Sequence, residues 1–462
     1  MGLETGQRYT TREAIALIYE WLNRARPLLP DGPDRVVRHP EWTGRLLAEL
    51  ANPDAAAFNV AVTGSKGKGS NAILLAAILQ LLGLRVGLFT SPHLIDFMER
   101  IRLGGQVMPE AAFVHWMTQV YDEARRLPVP PNQYIGPVGL LACVAALWFA
   151  DEQTDVNVFE LGRGALHDDV NQVRHQGALL TPVFLEHARE LGPTLPDVAR
   201  EKAGVLRAET RWLVSHPQSE TVQAVWRRCW PEGTDVQLLG RDFSAGVDVP
   251  PDRDEVRVRV RFAAGDETCI RLPVVPDFLA RNAAVAAAAA RRVVKQRQGL
   301  RALLPEEIDL RRIRLPGRME VIDRRPLVLV DGTVHRETAV HVAAWAASAK
   351  RRGSVQRFGA VLAIPVDKDG MGVLGVLREH VQWVVWTRAS NPHLRFDDRF
   401  CRAARALGMR SEWVPDVTRA LDTARARVEP ADGLLLLGTQ SFVADVMQHF
   451  AVDTRTIWRP EE

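Results

Sequence analysis

From Phe58 onward the apolar pattern changes character twice. FNVAVT is a short apolar run, GSKGKGS is a polar glycine-rich break, and NAILLAAILQLLG is apolar on nearly every face. The first length suits a strand and the last a helix with no wet face, so strand, turn and buried helix are predicted in that order. VGLFT (Val86 to Thr90) predicts a second strand. The apolar stretch from Gly136 to Ala150 predicts another buried helix, which leads into a third strand, DVNVFEL. Strands alternating with helices imply a mostly parallel sheet covered on both faces. Between about Asp235 and Pro276 the rhythm shifts to strict alternation, clearest in VRVRVRF (Val256 to Phe262), which predicts antiparallel strands with one wet face. After a Pro- and Arg-rich stretch near Leu304 to Pro316, the expected linker, the α/β rhythm restarts with PLVLVDG, FGAVLAIP, VQWVVWT and GLLLLG. The expectation is an α/β protein with two domains. Residues 1–314 form a parallel-sheet domain with a small antiparallel sheet at about 235–276, and residues 315–462 form a smaller α/β domain. The closing TRTIWRPEE is expected to be a loose tail.

Composition narrows the functional classes. A chain of 462 residues exceeds what one hydrophobic core usually serves. Its 47% hydrophobic and 25% charged residues exclude a disordered chain. The longest apolar stretch is too short to cross a bilayer, and the start, MGLETGQRYTTREA, lacks a basic segment followed by an apolar one, so no membrane partner and a cytoplasmic location are expected. Four cysteines, Cys143, Cys229, Cys269 and Cys401, are widely spaced with no CxxC pair, which argues against disulfides and zinc. Lys and Arg (59) nearly balance Asp and Glu (56) and are interleaved with them, so no nucleic-acid partner is expected. Only six of the basic residues are lysines: Lys66, Lys68, Lys202, Lys295, Lys350 and Lys368. A Lys retained against such a bias is a candidate for work Arg cannot do, as a compact point charge or a titratable amine.

Several residues then stand out. The turn Gly64-Ser65-Lys66-Gly67-Lys68-Gly69-Ser70 lies between strand and helix, where backbone N–H groups and a helix N-terminus favour phosphate. It departs from the strict P-loop pattern, since Val62 takes the first glycine position and Gly69 separates Lys68 from Ser70. The plain alternative is a glycine-rich connection with two solvated lysines; scarce lysine favours phosphate, with Lys68 reaching the β/γ-phosphates and Ser70 near Mg²⁺. Thr90-Ser91-Pro92-His93-Leu94 ends the next strand, at the sheet edge where ligands bind, so Ser91 faces the same phosphates unless it merely opens a turn. Glu160 closes VNVFE, and a carboxylate at a buried strand end needs a cation, either Mg²⁺ or an Arg. His187 follows another apolar run and is either a metal ligand or a solvent-facing loop residue. Lys202, in LPDVAREKAGVL, is an exposed helix lysine or an amine near metal and phosphate. Asp331, after PLVLV, and Asp367-Lys368-Asp369, after AVLAIP, read either as surface loops or as a second wall of the same crevice.

Taken in order, these pieces resemble the folylpolyglutamate synthase/dihydrofolate synthase family, the branch of the Mur ligase superfamily that adds glutamate to folates. The resemblance runs from about residue 40 to 450. VTGSKGKGS resembles its P-loop, LRVGLFTSPHL its next strand and loop, FMERIRLGG its F-x-E-R-I segment, REKAGVL its R-E-K-A-G-I run, LPGRME its P-G-R-x-E hinge, and DKD its C-terminal counterpart. The resemblance implies a P-loop ATPase domain and a smaller Rossmann-like C-terminal domain with ATP between them. It further implies that Ser91 and Glu160 hold one Mg²⁺ and His187 a second, that Lys202 is carbamylated, that Asn282 faces the nucleotide, and that Arg318 and Asp331 approach ATP from the hinge and the second domain. The implied chemistry is ATP-dependent joining of a small-molecule acid to an amino acid or amine through an acyl phosphate.

Departures from the family lie away from the ATP core. The family's G-L-G-G-R-L-D-A-T-N is Gly162-Arg163-Gly164-Ala165-Leu166-His167-Asp168-Asp169-Val170-Asn171 here, with Leu166 at the Arg position. N-I-G-x-D-H becomes Pro182-Val183-Phe184-Leu185-Glu186-His187, and D-G-A-H-N-P becomes Asp331-Gly332-Thr333-Val334-His335-Arg336. Two alternatives therefore accompany the synthase reading. One is a divergent amide ligase of specialised metabolism acting on a non-folate acid. The other is a non-catalytic ATP-binding partner subunit, against which the joint retention of Lys68, Glu160, His187 and Lys202 speaks.

Overall fold

Eight strands form the largest sheet, in the order β4-β3-β2-β5-β1-β6-β7-β8. They are β1 (Phe58–Thr63), β2 (Val86–Phe89), β3 (Ile101–Leu103), β4 (Gln106–Val107), β5 (Val156–Glu160), β6 (Gly177–Leu180), β7 (Trp212–Ser215) and β8 (Asp235–Leu238). The computed structural model describes residues 8–249, 255–298 and 303–458. β1 pairs in parallel with β5 and β6, so the first apolar run of the sequence occupies the middle of the sheet. Helices cover both faces, which is why the inner strands read as continuous apolar runs. The two all-apolar segments are the helices Lys68–Leu81 and Pro137–Asp151. Lys68–Leu81 lies against the long helix Asp277–Gln298, whose alanines from Ala286 to Ala290 are fully buried and let the two backbones approach closely.

The antiparallel sheet is smaller than the sequence pattern implied. β9 (Phe243–Asp248), β10 (Glu255–Phe262) and β11 (Glu267–Pro273) pair antiparallel. Along β10, Val256, Val258 and Val260 are buried while Arg259 and Arg261 point outward to Glu267. The expected start at Asp235 is corrected: β8 pairs in parallel with β7 and completes the first sheet. A four-residue strand holds too short a pattern to reveal its partner, and the open edge of β7 decided it. The stretch expected as a linker supplies β12 (Glu307–Asp309), which adds in parallel to β11.

A third sheet has the order β13-β14-β18-β15-β16-β17. It uses β13 (Glu320–Arg324), β14 (Leu327–Asp331), β15 (Phe358–Ala363), β16 (Val381–Trp386), β17 (Arg410–Trp413) and β18 (Gly433–Gly438). All its pairings are parallel except that of β13 with β14.

The chain end is not a loose tail through residue 458. Thr454, Ile457 and Trp458 are buried, Thr456 bridges to Gln106, and the Trp458 ring covers Gly105. The buried guanidinium of Arg102 donates to the carbonyls of Thr454 (2.8 Å) and Arg455 (2.7 Å), which secures the segment to the first sheet. Residues 459–462 of that segment lie outside the described residues. The four cysteines are free thiols, and among the described residues no helix is long and apolar enough to cross a membrane.

Candidate active site

Because β1 is central, the turn after Thr63 emerges at the middle of the sheet's carboxyl edge, between the ends of β5 and β6. Gly64 has φ +131°, and a Cβ there would stand 2.1 Å from Thr181 Oγ1, so only glycine lets the turn lie this close to β6. The helix Lys68–Leu81 begins at Gly67 with no side-chain cap, so its first-turn N–H groups are left to face the loop. At Gly69 a Cβ would approach Glu160 Oε2 to 3.2 Å, and its absence admits a carboxylate against the helix start.

Two of the six lysines converge on one carbonyl. Lys68 Nζ donates to Gly64 O at 3.1 Å, and Lys202 Nζ donates to the same oxygen at 2.8 Å. Lys202 is fully buried; it also donates to Arg163 O (2.7 Å) and ion-pairs with Glu186 (2.9 Å). Burial pushes its amine down to about 8; Glu186 opposes the fall and Lys68 adds to it. Glu160 is buried at the end of β5 and accepts from the backbone N–H of Ser91 at 2.9 Å. Burial pushes this carboxyl up to about 7, against the pull of Lys68, the Ser91 N–H and Arg318. No ion pair with Glu160 is present among the described residues. A buried carboxylate with buried Ser70 and the loop of Ser91 beside it is a set of hard oxygen donors, which suits Mg²⁺ bound partly through phosphate oxygens. Asn282 is buried against Gly67, and its Nδ2 has no acceptor among the described residues, as suits a side chain that faces a polar ligand.

From the hinge, Arg318 lies with Nη1 against Gly332. Asp331 is buried at the end of β14, where it accepts from Met319 N (2.9 Å) and from the Thr333 hydroxyl; burial raises its pKa. The loop after β2 reaches across to this side, since Gln440 Nε2 donates to His93 O (3.1 Å).

Other expected residues stand apart. His187 is exposed, with a left-handed backbone, and its nearest carboxylate is Glu190 at 3.9 Å. Lys66 sits over the Phe184 ring, 5.8 Å from its centroid. Asp369 caps the helix Gly370–Leu377 through Gly372 N, and Lys368 pairs with Asp367 at 3.4 Å. Leu166 is exposed, Asp168 accepts from Gly162 N and Val170 N, and Asn171 donates to Gly204 O. Val334 packs on the core, and His335 starts the helix Arg336–Arg351.

Sequence reasoning missed the support beneath the turn. Asn71 Nδ2 donates to Gly67 O (2.9 Å), and the His216 imidazole lies 3.3 Å from Asn71 Oδ1, donating as the neutral Nε2–H tautomer. The available signal was a polar residue just past β7, at the same sheet edge as Glu160. Burial pushes His216 down to about 4, with Arg281 adding to the fall. A folded pKa below the unfolded value of about 6.5 means that its contribution is complete above pH 6.5 and is lost as pH falls toward 4, by about 3 kcal/mol. Urea unfolding of the wild type and His216→Asn across that window should show a shallower acid loss in the variant; equal slopes would refute a neutral buried imidazole.

Comparison with known proteins follows the same outline. No family model matches the chain. The probable bifunctional folylpolyglutamate synthase/dihydropteroate synthase of Haloferax volcanii is 31% identical over 430 residues, 90% of this chain and 48% of that protein. The chain thus spans about half the length of that relative. The folylpolyglutamate synthase of Lacticaseibacillus casei is 30% identical over 294 residues, 62% of this chain and 67% of that protein. The solved structure of E. coli FolC in complex with DHPP and ADP is similar with a TM-score of 0.73 at 25% identity, covering 96% of this chain and 98% of that one.

Proposed function

The chain belongs to the folylpolyglutamate synthase family, and from that premise we propose that it is an ATP-dependent, ADP-forming ligase that joins glutamate to a folate carboxylate as an amide. The carrying observation is the convergence of Lys68 and Lys202 on Gly64 O beside the buried Glu160. In this reading residues 1–314 bind ATP, residues 315–462 close over it, and the use of ATP argues for action in the cytoplasm. Glu160, Ser70 and Ser91 would hold a divalent cation; when bound, such a cation neutralises charge that spreads over the transferring phosphoryl group.

The remaining steps fall to the chain's own groups. The helix start at Lys68 and the N–H groups of the turn cradle phosphate, and the Lys68 ammonium, turned from Gly64 O, balances charge on the β/γ-oxygens. Asn282, Arg318 and Asp331 orient the nucleotide from its two sides. The acceptor carboxylate attacks the γ-phosphorus, the bond to the bridging oxygen breaks, and ADP departs. The amine of glutamate then attacks the acyl carbon, expelling phosphate. Positioning supplies most of the rate, so the approach of Arg318 and Asp331 matters as much as the turn.

Lys202 is the proposed site of carbamylation. An amine near pKa 8 keeps about a tenth of its population neutral at pH 7, enough to attack CO₂, forming the N–C bond as one proton leaves. The carbamate reverses the charge and ends the attraction to Glu186. Lys202→Ala should lose most activity and regain part of it with added short carboxylic acids; absence of rescue removes the carbamate from the mechanism.

The reaction itself is tested by incubating the protein with Mg-ATP, bicarbonate, reduced folates and glutamate while ADP and product mass are recorded together. One glutamate added per ADP is expected. ATP binding without product would overturn the proposal. The family membership of the chain does not favour the non-folate ligase or the non-catalytic subunit.

A further inference from the structure

A cavity of about 430 Å³ lies at the seam where the helix Lys68–Leu81 and the antiparallel sheet meet the third sheet. Its bed is apolar and comes from both sides of the hinge: Leu74 and Val275 from one, Val321, Leu327 and Trp345 from the other. Its rim is cationic, six arginines against the single carboxylate of Glu320. Arg314 (2.7 Å) and the Gly317 N–H (2.9 Å) already engage that carboxylate. Arg312, Arg318 and Arg352 line the cavity without a carboxylate ion-paired to them among the described residues.

A second observation points the same way. Trp345 lines the cavity and is only 6% exposed, yet its indole N–H has no acceptor among the described residues, and Arg352 Nε is likewise buried without one. Buried donors without acceptors are costly, and the two lie on the helix Arg336–Arg351 and at its C-terminal cap, next to arginines with no carboxylate ion-paired to them among the described residues. The cavity is distinct from the nucleotide crevice. No residue of the turn 64–70 lines it, nor do Asn282 and Asp331; Arg318 alone is common to both. One helical turn before Trp345, the His341 and Phe278 rings meet across the seam, with centroids 4.7 Å apart.

We propose that this seam cavity binds a compact organic dianion, an apolar body carrying anionic oxygens. The body lies on Leu74, Val275 and Trp345, and the oxygens accept from Arg312, Arg352 and the Trp345 N–H. Carboxylate and phosphate share this chemistry. A ligand held from both sides of the hinge fastens the two α/β units to each other, so occupancy also raises the unfolding temperature. The inference stands apart from the ligase reading, because it concerns binding at residues that the reaction does not use, Arg318 excepted.

Calorimetry of the full chain with naphthalene-2,6-dicarboxylate and with 2-naphthyl phosphate tests it, with the neutral 2-naphthylmethanol as control. One equivalent of at least one dianion should bind, and the neutral analogue should not. Arg312→Gln/Arg352→Gln should weaken binding about tenfold or more. Trp345→Phe should weaken it several-fold, and Lys68→Ala should leave it unchanged. Tighter binding of the dicarboxylate or of the phosphate identifies the preferred anionic group. The proposal is overturned if neither dianion binds wild-type protein at millimolar concentration, if the neutral analogue binds equally, if the double variant binds as well as wild type, or if Lys68→Ala abolishes binding.

Discussion

Lys68→Ala is expected to lower ADP formation by about a thousandfold or more while leaving the protein folded. The ammonium is the one cationic side chain at the start of the helix Lys68–Leu81 that reaches back over the turn, and Glu160 feels it across the site. Its loss removes a point charge from the region where negative charge grows during phosphoryl transfer, in surroundings dry enough to raise the Glu160 carboxyl to about 7. The fold should tolerate the change, because among the described residues the Lys68 side chain contributes only two hydrogen bonds, both to loop carbonyls, and Lys202 still holds Gly64 O. Steady-state ADP release and circular dichroism together check this. Turnover within tenfold of wild type, in a folded variant, would remove the turn from the chemistry.

Arg102→Ala is expected to produce the largest loss of stability, about 3–5 kcal/mol. The guanidinium is 3% exposed and donates to four backbone carbonyls, those of Glu99, Gly105, Thr454 and Arg455. Burial pushes it down to about 10, against the opposing charge of Glu99. Glu99 in turn accepts from the Thr454 hydroxyl at 2.6 Å, and Arg455 pairs with Asp96. Alanine at 102 would strip the guanidinium from all four carbonyls, leaving those of Glu99 and Thr454 without it while Arg455 O and Gly105 O keep the N–H groups of Val107 and Ile457, and would loosen the bed of Ile457 and Trp458. Urea unfolding should show the loss, and limited proteolysis should cut first near residues 453–458. A change below about 1 kcal/mol with an uncut tail would show that the bridge to Gln106 and the apolar contacts of Trp458 hold the segment without the guanidinium.

Both predictions rest on groups of different legibility. Lys68 was readable because its signal is local: the strand, the glycines and the helix are contiguous, and lysine is rare in this chain. Glu160 and Asp331 were readable as carboxylates at the ends of apolar strands, a pattern that a parallel sheet turns into one crevice wall. Arg102 carried no such signal. It lies in a segment quoted for its family likeness, and two of its four partners, the carbonyls of Thr454 and Arg455, are 352 and 353 residues away in sequence. The same holds for the Lys202 pair with Glu186 and for the chain from His216 through Asn71 to Gly67.

The sequence by itself determined the α/β alternation, the buried helices, the wet-faced strands of β9 to β11 and the phosphate-type turn, because each is written in periodicity or in backbone needs over a few neighbouring residues. Only the tertiary structure decided that β8 completes the first sheet, that the chain end returns to Arg102, that Lys68 and Lys202 share one carbonyl, and that arginines from both sides of the hinge rim one cavity. Those outcomes depend on which edges lie open and which distant side chains meet once the layers pack, and hydrophobic patterning, which specifies a face, does not specify its partner.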